Sequence, residues 1–431
     1  MKTNLRLVGA LGVLILLAAT HVSAQEVRQA LADTLDVVRQ ATWLNDADGS
    51  YNPCPAEDTW CGDNSCGMCN QCCRPLNMWA QVEYLMWWGK GSHLPPLVTT
   101  STDPNVAREE AGVLGFPTTR ILFGDELAGD EIQYGGRASL GIWLDPAHDV
   151  GLGVRVYGLE GDNATFDAAS TGDPVLARPF YNALLLQEDA VLIAYVDPID
   201  GPIVEGNIQA NYKTSFVATD VYTRIMMERD QINRVDLIGG YSYFRLADAL
   251  RIRSFHTARE PLVDGTTFDI VDNFSTSNIF HGGMLGLQGT RARGRWSADW
   301  MTKVSLGSAR QRVRIDGSTV VTPFMGAPVN LPGGLLAQQT NIGTYNNSQT
   351  LAVPELNVNL NYHFNSNVSV GVGYSAIWIS SVITTGPEID RQVNLSQLTG
   401  PLIGPARPLF PGFIQDDYWL MGLNFSLRAE Y

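Results

Sequence analysis

Past residue 24 the 431-residue sequence has no apolar run approaching the roughly 20 residues that a membrane-crossing helix needs, which excludes a helical membrane protein. Positive charge is short: 29 Lys and Arg face 44 Asp and Glu, for a net charge of -15. An acidic chain repels phosphate backbones, so no nucleic-acid partner is expected. Charged residues of both signs make up only 17%, too few for a disordered polyanion. Cysteine is absent outside residues 54–73. Histidine is scattered beyond the leader as His93, His148, His256, His281 and His363, in no motif that pairs a nucleophile with a base. No enzymatic activity, cofactor or metal is expected.

The first residues, MKTNLR followed by an apolar stretch of about a dozen and small residues at Ser23 and Ala24, match a secretory signal peptide, residues 1–24. Residues 25–78 then hold a short helix and a cysteine-rich segment ahead of the main domain, 79–431. In 26–44, Val27, Leu31, Leu35 and Val38 recur with helical spacing, for a helix on the periplasmic side or a plug in a lumen. The segment NDADG at 45–49 lacks the downstream ligands of a calcium loop. Cys54, Cys61, Cys66, Cys69, Cys72 and Cys73 would suggest zinc or an iron–sulfur cluster in a reducing cytosol. The leader directs the chain to an oxidising compartment, where an even count in a short loop-rich segment reads as disulfides. Adjacent Cys72 and Cys73 need different partners.

What the remainder does have is alternation. Successive side chains of a strand point to opposite faces, so a period of two marks a ribbon with one apolar side. In the last segment Trp419, Met421, Leu423, Phe425, Leu427 and Ala429 alternate with Gly422, Asn424, Ser426, Arg428 and Glu430. Ten such ribbons run along the chain, near 79–89, 137–144, 150–157, 217–227, 235–243, 279–289, 296–306, 356–364, 368–378 and 419–431. Most have about the 9 to 11 residues that a tilted strand needs to cross a bilayer.

The connections discriminate further. Short ones at 146–149, 229–233, 290–293 and 365–367 alternate with long ones at about 90–135, 160–211, 247–278, 308–354 and 381–417. Tight turns at one end and long loops at the other are the pattern of an outer-membrane barrel. Lipid satisfies no backbone N–H or C=O group, so ribbons without helices must close on themselves. The expected fold is all-β: a closed antiparallel up-and-down transmembrane β-barrel of about ten strands, both termini periplasmic. A twelve-strand alternative adds 248–256 and 266–274 as a further pair, which Arg251, Arg253 and Asp269 disfavour. Asp264-Gly265 and Asp316-Gly317 read as two-residue hairpin turns in loops that continue as ribbons above the membrane.

The stretch WAQVEYLMWWGKGSHLPPLVTTS, residues 79–101, resembles the opening segment of the β-barrel porin family of planctomycete outer membranes, and the RPL before it and the terminal aromatic fit the same pattern. That family is defined by architecture, so the resemblance implies location and fold and names no substrate. Phe425 and the terminal Tyr431 likewise resemble the carboxyl-terminal signal by which barrel-assembly machinery recognises outer-membrane proteins.

Alternation assigns lumen-facing ionisable residues: Glu83, Arg137, Arg155, Asp220, Arg224, Asp236, Arg295, Asp299, Lys303, His363, Arg428 and Glu430. Both signs in a narrow barrel suit a salt-bridged filling as well as an open channel. The acidity is concentrated: 90–135 has seven acids against three bases, and 160–211 nine against one. Such loops would draw small cations to the mouth. Two functions are expected from this reading. One is a passive, mildly cation-favouring pore for small solutes in outer-membrane lipid; the other is a non-conducting structural or adhesive surface barrel acting through its loops. Oligomeric state is not legible.

Overall fold

The computed structural model describes residues 78–161 and 163–430. The leader, the 26–44 helix, the 45–49 segment, all six cysteines and Tyr431 lie outside these residues. Ten strands dominate: β1 (Met78–Gly89), β2 (Gln133–Trp143), β3 (Val150–Glu160), β4 (Gly201–Arg229), β5 (Asn233–Ala258), β6 (Thr267–Arg293), β7 (Trp296–Thr322), β8 (Gly343–His363), β9 (Val368–Ile383) and β10 (Gln415–Glu430). Each pairs antiparallel with the next in chain order. β10 then pairs back with β1, from Trp79 opposite Glu430 to Gly89 opposite Leu420, so the pairing forms a ring. Each of the ten expected ribbons coincides with one of these strands, those near 137–144 and 356–364 ending one residue earlier, at Trp143 and His363. No helix among the described residues is long and apolar enough to cross a membrane.

Residues 248–256 and 266–274 are not an extra pair in the ring. They continue β5 and β6 without a break, with Thr257 opposite Thr267. Asp264-Gly265 sits at the turn, Gly265 having φ of +80°, but the connection runs from 259 to 266 rather than two residues. Asp316-Gly317 is not a turn: it lies inside β7 opposite Asn273 and Asp272, and the chain reverses at 323–328. Glycine is needed there for close approach, since a Cβ would meet Gly334 N at 2.7 Å and the Ala337 side chain at 2.9 Å.

The ring is uneven in height. β4 to β7 have 26 to 29 residues and β8 has 21, whereas the other five have 11 to 16. The tall strands form a curved wall whose inner side is filled by the connections β1–β2, β3–β4, β7–β8 and β9–β10. Residues 163–170 pair along the upper β4, and 176–182, 187–197 and 98–101 extend the sheet across the opening. Leu94, Leu97, Phe123, Leu176, Phe180, Ile193, Leu335, Leu336 and Val393 thereby bury against Ile208, Leu250, Ile252, Phe274, Val313 and Ile315 of the wall. Much of what alternation marks as long loops is therefore sheet and packed core.

The two faces trade roles partway up. At the turn end the outer face is apolar, with Tyr84, Val304, Leu306, Leu356, Val358, Leu360, Val372 and Phe425 all exposed, while Glu83, Arg137, Asp220 and Lys303 are buried inside. At the loop end the inner face is apolar and the outer face of β5 and β7 carries Arg251, Arg253, Arg310, Arg312 and Arg314. On β5 the main apolar series occupies odd positions up to Tyr243 and even positions from Phe244. On β7 it occupies even positions up to Leu306 and odd positions from Ala309. The pairing of β5, β6 and β7 continues in register through this point. What changes is which face of the sheet carries the apolar series. From Trp296 to Leu306 the apolar band rises about 25 Å, taking about 3.3 Å per residue and a tilt near 40°.

Candidate functional site: the ring interior

Starting at the turn end, Trp79 of β1 and Trp143 of β2 meet with ring centroids 4.8 Å apart. The guanidinium groups of Arg224 and Arg234 lie 4.8 and 4.3 Å from the Trp143 ring. Both arginines pair with Asp236, which is fully buried; Arg234 does so at 2.9 Å. Cation–π contact and charge-assisted hydrogen bonds thus tie β1, β2, β4 and β5 together at this side of the rim.

Above it lies a buried network. Arg137 of β2 grips Glu83 of β1 through two nitrogens and donates to Asn357 Oδ1 of β8 at 2.8 Å and to Ser375 Oγ of β9 at 3.2 Å. Arg155 of β3 is 2.8 Å from Glu355 of β8, and β3 and β8 are diametrically opposite in the ring of ten. Arg155 also pairs with Asp220 of β4, and Lys303 of β7 lies 2.7 Å from Asp220 and 3.1 Å from Glu355. All four side chains are at most 7% exposed. Two cations and two carboxylates so arranged satisfy one another, which a buried charge requires. Arg428 joins Asp299 across from β10 to β7 at 3.0 Å. Among these groups lies a cavity of about 70 Å³, room for a few waters. A concavity of about 800 Å³ is lined largely by outer-face residues such as Tyr84, Leu360 and Val372.

Next comes an apolar layer. Leu85, Trp87, Tyr157, Leu159, Phe216, Phe244, Leu246, Phe280, Leu351, Val353, Ile377, Ile379, Tyr418 and Leu420 are buried together, drawn from eight of the ten strands. Phe216, Phe244 and Phe280 form a row with successive centroids 5.8 and 5.0 Å apart. Trp87 Nε1 donates to Asn424 Oδ1 at 2.8 Å, so its one polar atom is satisfied.

The loop-end half holds its own buried polar groups. Arg178 donates to Asp272 at 2.6 Å, and Asp272 also accepts the backbone N–H groups of Leu335, Leu336 and Ala337. Burial pushes Asp248 up to about 6, partly offset by the hydroxyl of Thr214, 2.8 Å away. Burial likewise pushes Glu388 up to about 7 against the backbone N–H of Ile414. Among the described residues no three His, Cys, Asp or Glu side chains are grouped to hold a metal ion.

The structure buries Glu83, Arg137, Arg155, Asp220, Arg224, Asp236 and Lys303 in the interior. Asp299, Arg428 and His363 are half-buried toward the turn end, with His363 Nε2 2.9 Å from Ser297 Oγ. Arg295 is not among them: it is exposed in the turn before β7, 3.3 Å from the Tyr362 hydroxyl, and Glu430 is exposed as well. Phe425 faces outward between Tyr84 and Val372. Sequence reasoning missed Glu355, which shares the parity of Asn357 and lies one residue beyond the start taken for that ribbon. Pairing of Arg178 with Asp272 had no sequence signal, because the two lie 94 residues apart in stretches read as loops.

The outer membrane protease OmpT from Escherichia coli shares 10% identity over 83% of this chain and 98% of its own, with a TM-score of 0.39. LpxR from Salmonella typhimurium shares 7% over 82% and 100%, with a TM-score of 0.20, and the toluene transporter TodX of P. putida 9% over 82% and 90%, with 0.14. None is similar enough to carry an activity across. No curated protein matches the chain. The family description Putative beta barrel porin-7, by contrast, matches residues 79–431 from the first ring strand to the end of the chain, and the protein belongs to that family.

Proposed function

We propose that the ring is a closed transmembrane barrel in the outer membrane, exported by its leader, and that it acts as a non-conducting surface protein through its loop-end half. The observation that carries this reading is the ion pair of Arg155 with Glu355 across the full diameter, roofed by the apolar layer. A diffusing solute would have to part both. Passive diffusion, the reading that the porin family name favours, needs a continuous aqueous path, and the space among the inner ionisable groups is a cavity of only about 70 Å³, lined by Arg155, Arg137 and Asn357 among others. Its partners on this reading are outer-membrane lipid and, during insertion, the barrel-assembly machinery. No catalysis is assigned to it.

Folded protein added to planar bilayers is expected to give no conductance steps, verified on material whose electrophoretic mobility changes on heating. Reproducible steps from such material would reject the non-conducting reading.

The lipid contact has its own test. Val358 is 44% exposed in the middle of the outer apolar band. On a wetted surface Val358→Arg would be near neutral, whereas at the midplane of a bilayer it costs about 2–4 kcal/mol. Urea unfolding in phosphatidylcholine vesicles is expected to show that loss, and an unchanged midpoint would mean that hydrocarbon does not touch this face.

A further inference from the structure

On the tall wall, directly above the aromatic side chains of Tyr241 and Tyr243, the outer face turns cationic. Arg245 of β5 stands opposite Ile279 of β6, and Ile279 stands opposite Arg310 of β7. Arg312 follows two residues later on the same face. Strand spacing places the Arg245 and Arg310 backbones about 10 Å apart, close enough for two extended guanidinium groups to converge on one anion.

Two of their neighbours show what is missing. Arg253 and Arg314, higher on the same wall, are neutralised by Asp269 at 2.7 Å and Asp316 at 3.1 Å. Among the described residues Arg245, Arg310 and Arg312 have no carboxylate partner. Arg312 donates only to Asn346, at 3.1 Å, and Nε of Arg245 is buried with no partner at all. In a chain carrying -15 overall, three adjacent arginines without a carboxylate partner are a local concentration of positive charge that would attract an anion.

The surface below says what that is. A Cβ at Gly283, the outward residue paired with Tyr241 and Leu306, would meet nothing within 4 Å, so the wall is notched there. Leu306 and Leu285 are 61% and 64% exposed beside it. An anionic head at the arginines and an apolar tail in the notch describe one molecule.

We propose that Arg245, Arg310 and Arg312 form a binding site for the phosphate-bearing headgroup of an outer-leaflet lipid, with an acyl chain seated over Gly283. This inference rests on the transmembrane reading above. Each guanidinium at a membrane surface strengthens anionic-lipid attraction about fivefold, so removing all three weakens it roughly a hundredfold.

The experiment folds the full chain into mixed phosphatidylglycerol–phosphatidylcholine micelles and counts retained lipid by native mass spectrometry. Wild type is expected to keep phosphatidylglycerol over phosphatidylcholine. The triple variant R245Q/R310Q/R312Q is expected to lose that preference, and R251Q, higher on the wall, to retain it. The proposal is overturned if the triple variant keeps phosphatidylglycerol, if R251Q loses it equally, or if millimolar inorganic phosphate displaces it. Vesicle flotation of the same samples separates the two readings: a protein that fails to float rejects the transmembrane reading, whereas lost headgroup preference in one that floats concerns the arginines alone.

Discussion

Arg155→Met is expected to destabilise the folded protein by about 3–5 kcal/mol, the range for stripping one partner from a buried charge cluster. In the intact interior Arg155 and Lys303 balance Asp220 and Glu355, and each carboxylate touches both cations. Without the guanidinium, Lys303 alone faces two carboxylates in a space that water cannot enter freely. Ser242, Asn357 and Tyr157 still donate hydrogen bonds, but none brings charge. The double variant R155M/E355Q removes one charge of each sign and is expected to recover much of the loss, since the two residues form one coupled unit. Urea midpoints in lipid vesicles measure both. If R155M unfolds within about 1 kcal/mol of wild type, the charges are solvated and the interior is wetter than the ion pair across it implies.

Phe244→Ala should cost a similar amount, about 3–5 kcal/mol, because truncating a large buried ring leaves a cavity that the surrounding packed strands collapse into poorly. Phe244 is 3% exposed and lies between Phe216 and Phe280 in the apolar layer. Leu285→Ala is the matching control on the outer face, 64% exposed. In a bilayer the surrounding tails are as apolar as the leucine they replace, so this loss should stay below about 1 kcal/mol. Together the two variants distinguish an inside packed with protein from an outside packed with solvent of its own kind. Equal losses would mean that both faces of the sheet are buried in protein.

The turn-end half of the ring was legible in the sequence because each strand there keeps one parity and one pair of media. Arg137, Arg155, Asp220 and Lys303 could be placed inside from alternation alone. Which of them would meet could not, because Arg155 and Glu355 come together only when strands 200 residues apart face each other. At the loop end the pattern itself misleads. After Tyr243 the apolar residues of β5 change parity, so a reading that expects constant phase ends the strand where it in fact continues for fifteen more residues, to Ala258. The apolar inward pair Leu85 and Trp87 shows the same effect on β1, sitting on the side that alternation marks as wet. Asp316-Gly317 misled for another reason: the glycine admits a neighbouring backbone rather than a turn.

On the transmembrane reading, that change of parity also fixes a draught. Sunk by one residue pair, the protein would drag Arg245 and Arg310 into oil; raised by one, it would lift Leu306 into water. A wall with such a waterline has a single depth at which it floats. The membrane is the more compliant partner, so where thicknesses disagree it is the lipid that must dimple or swell to meet the protein.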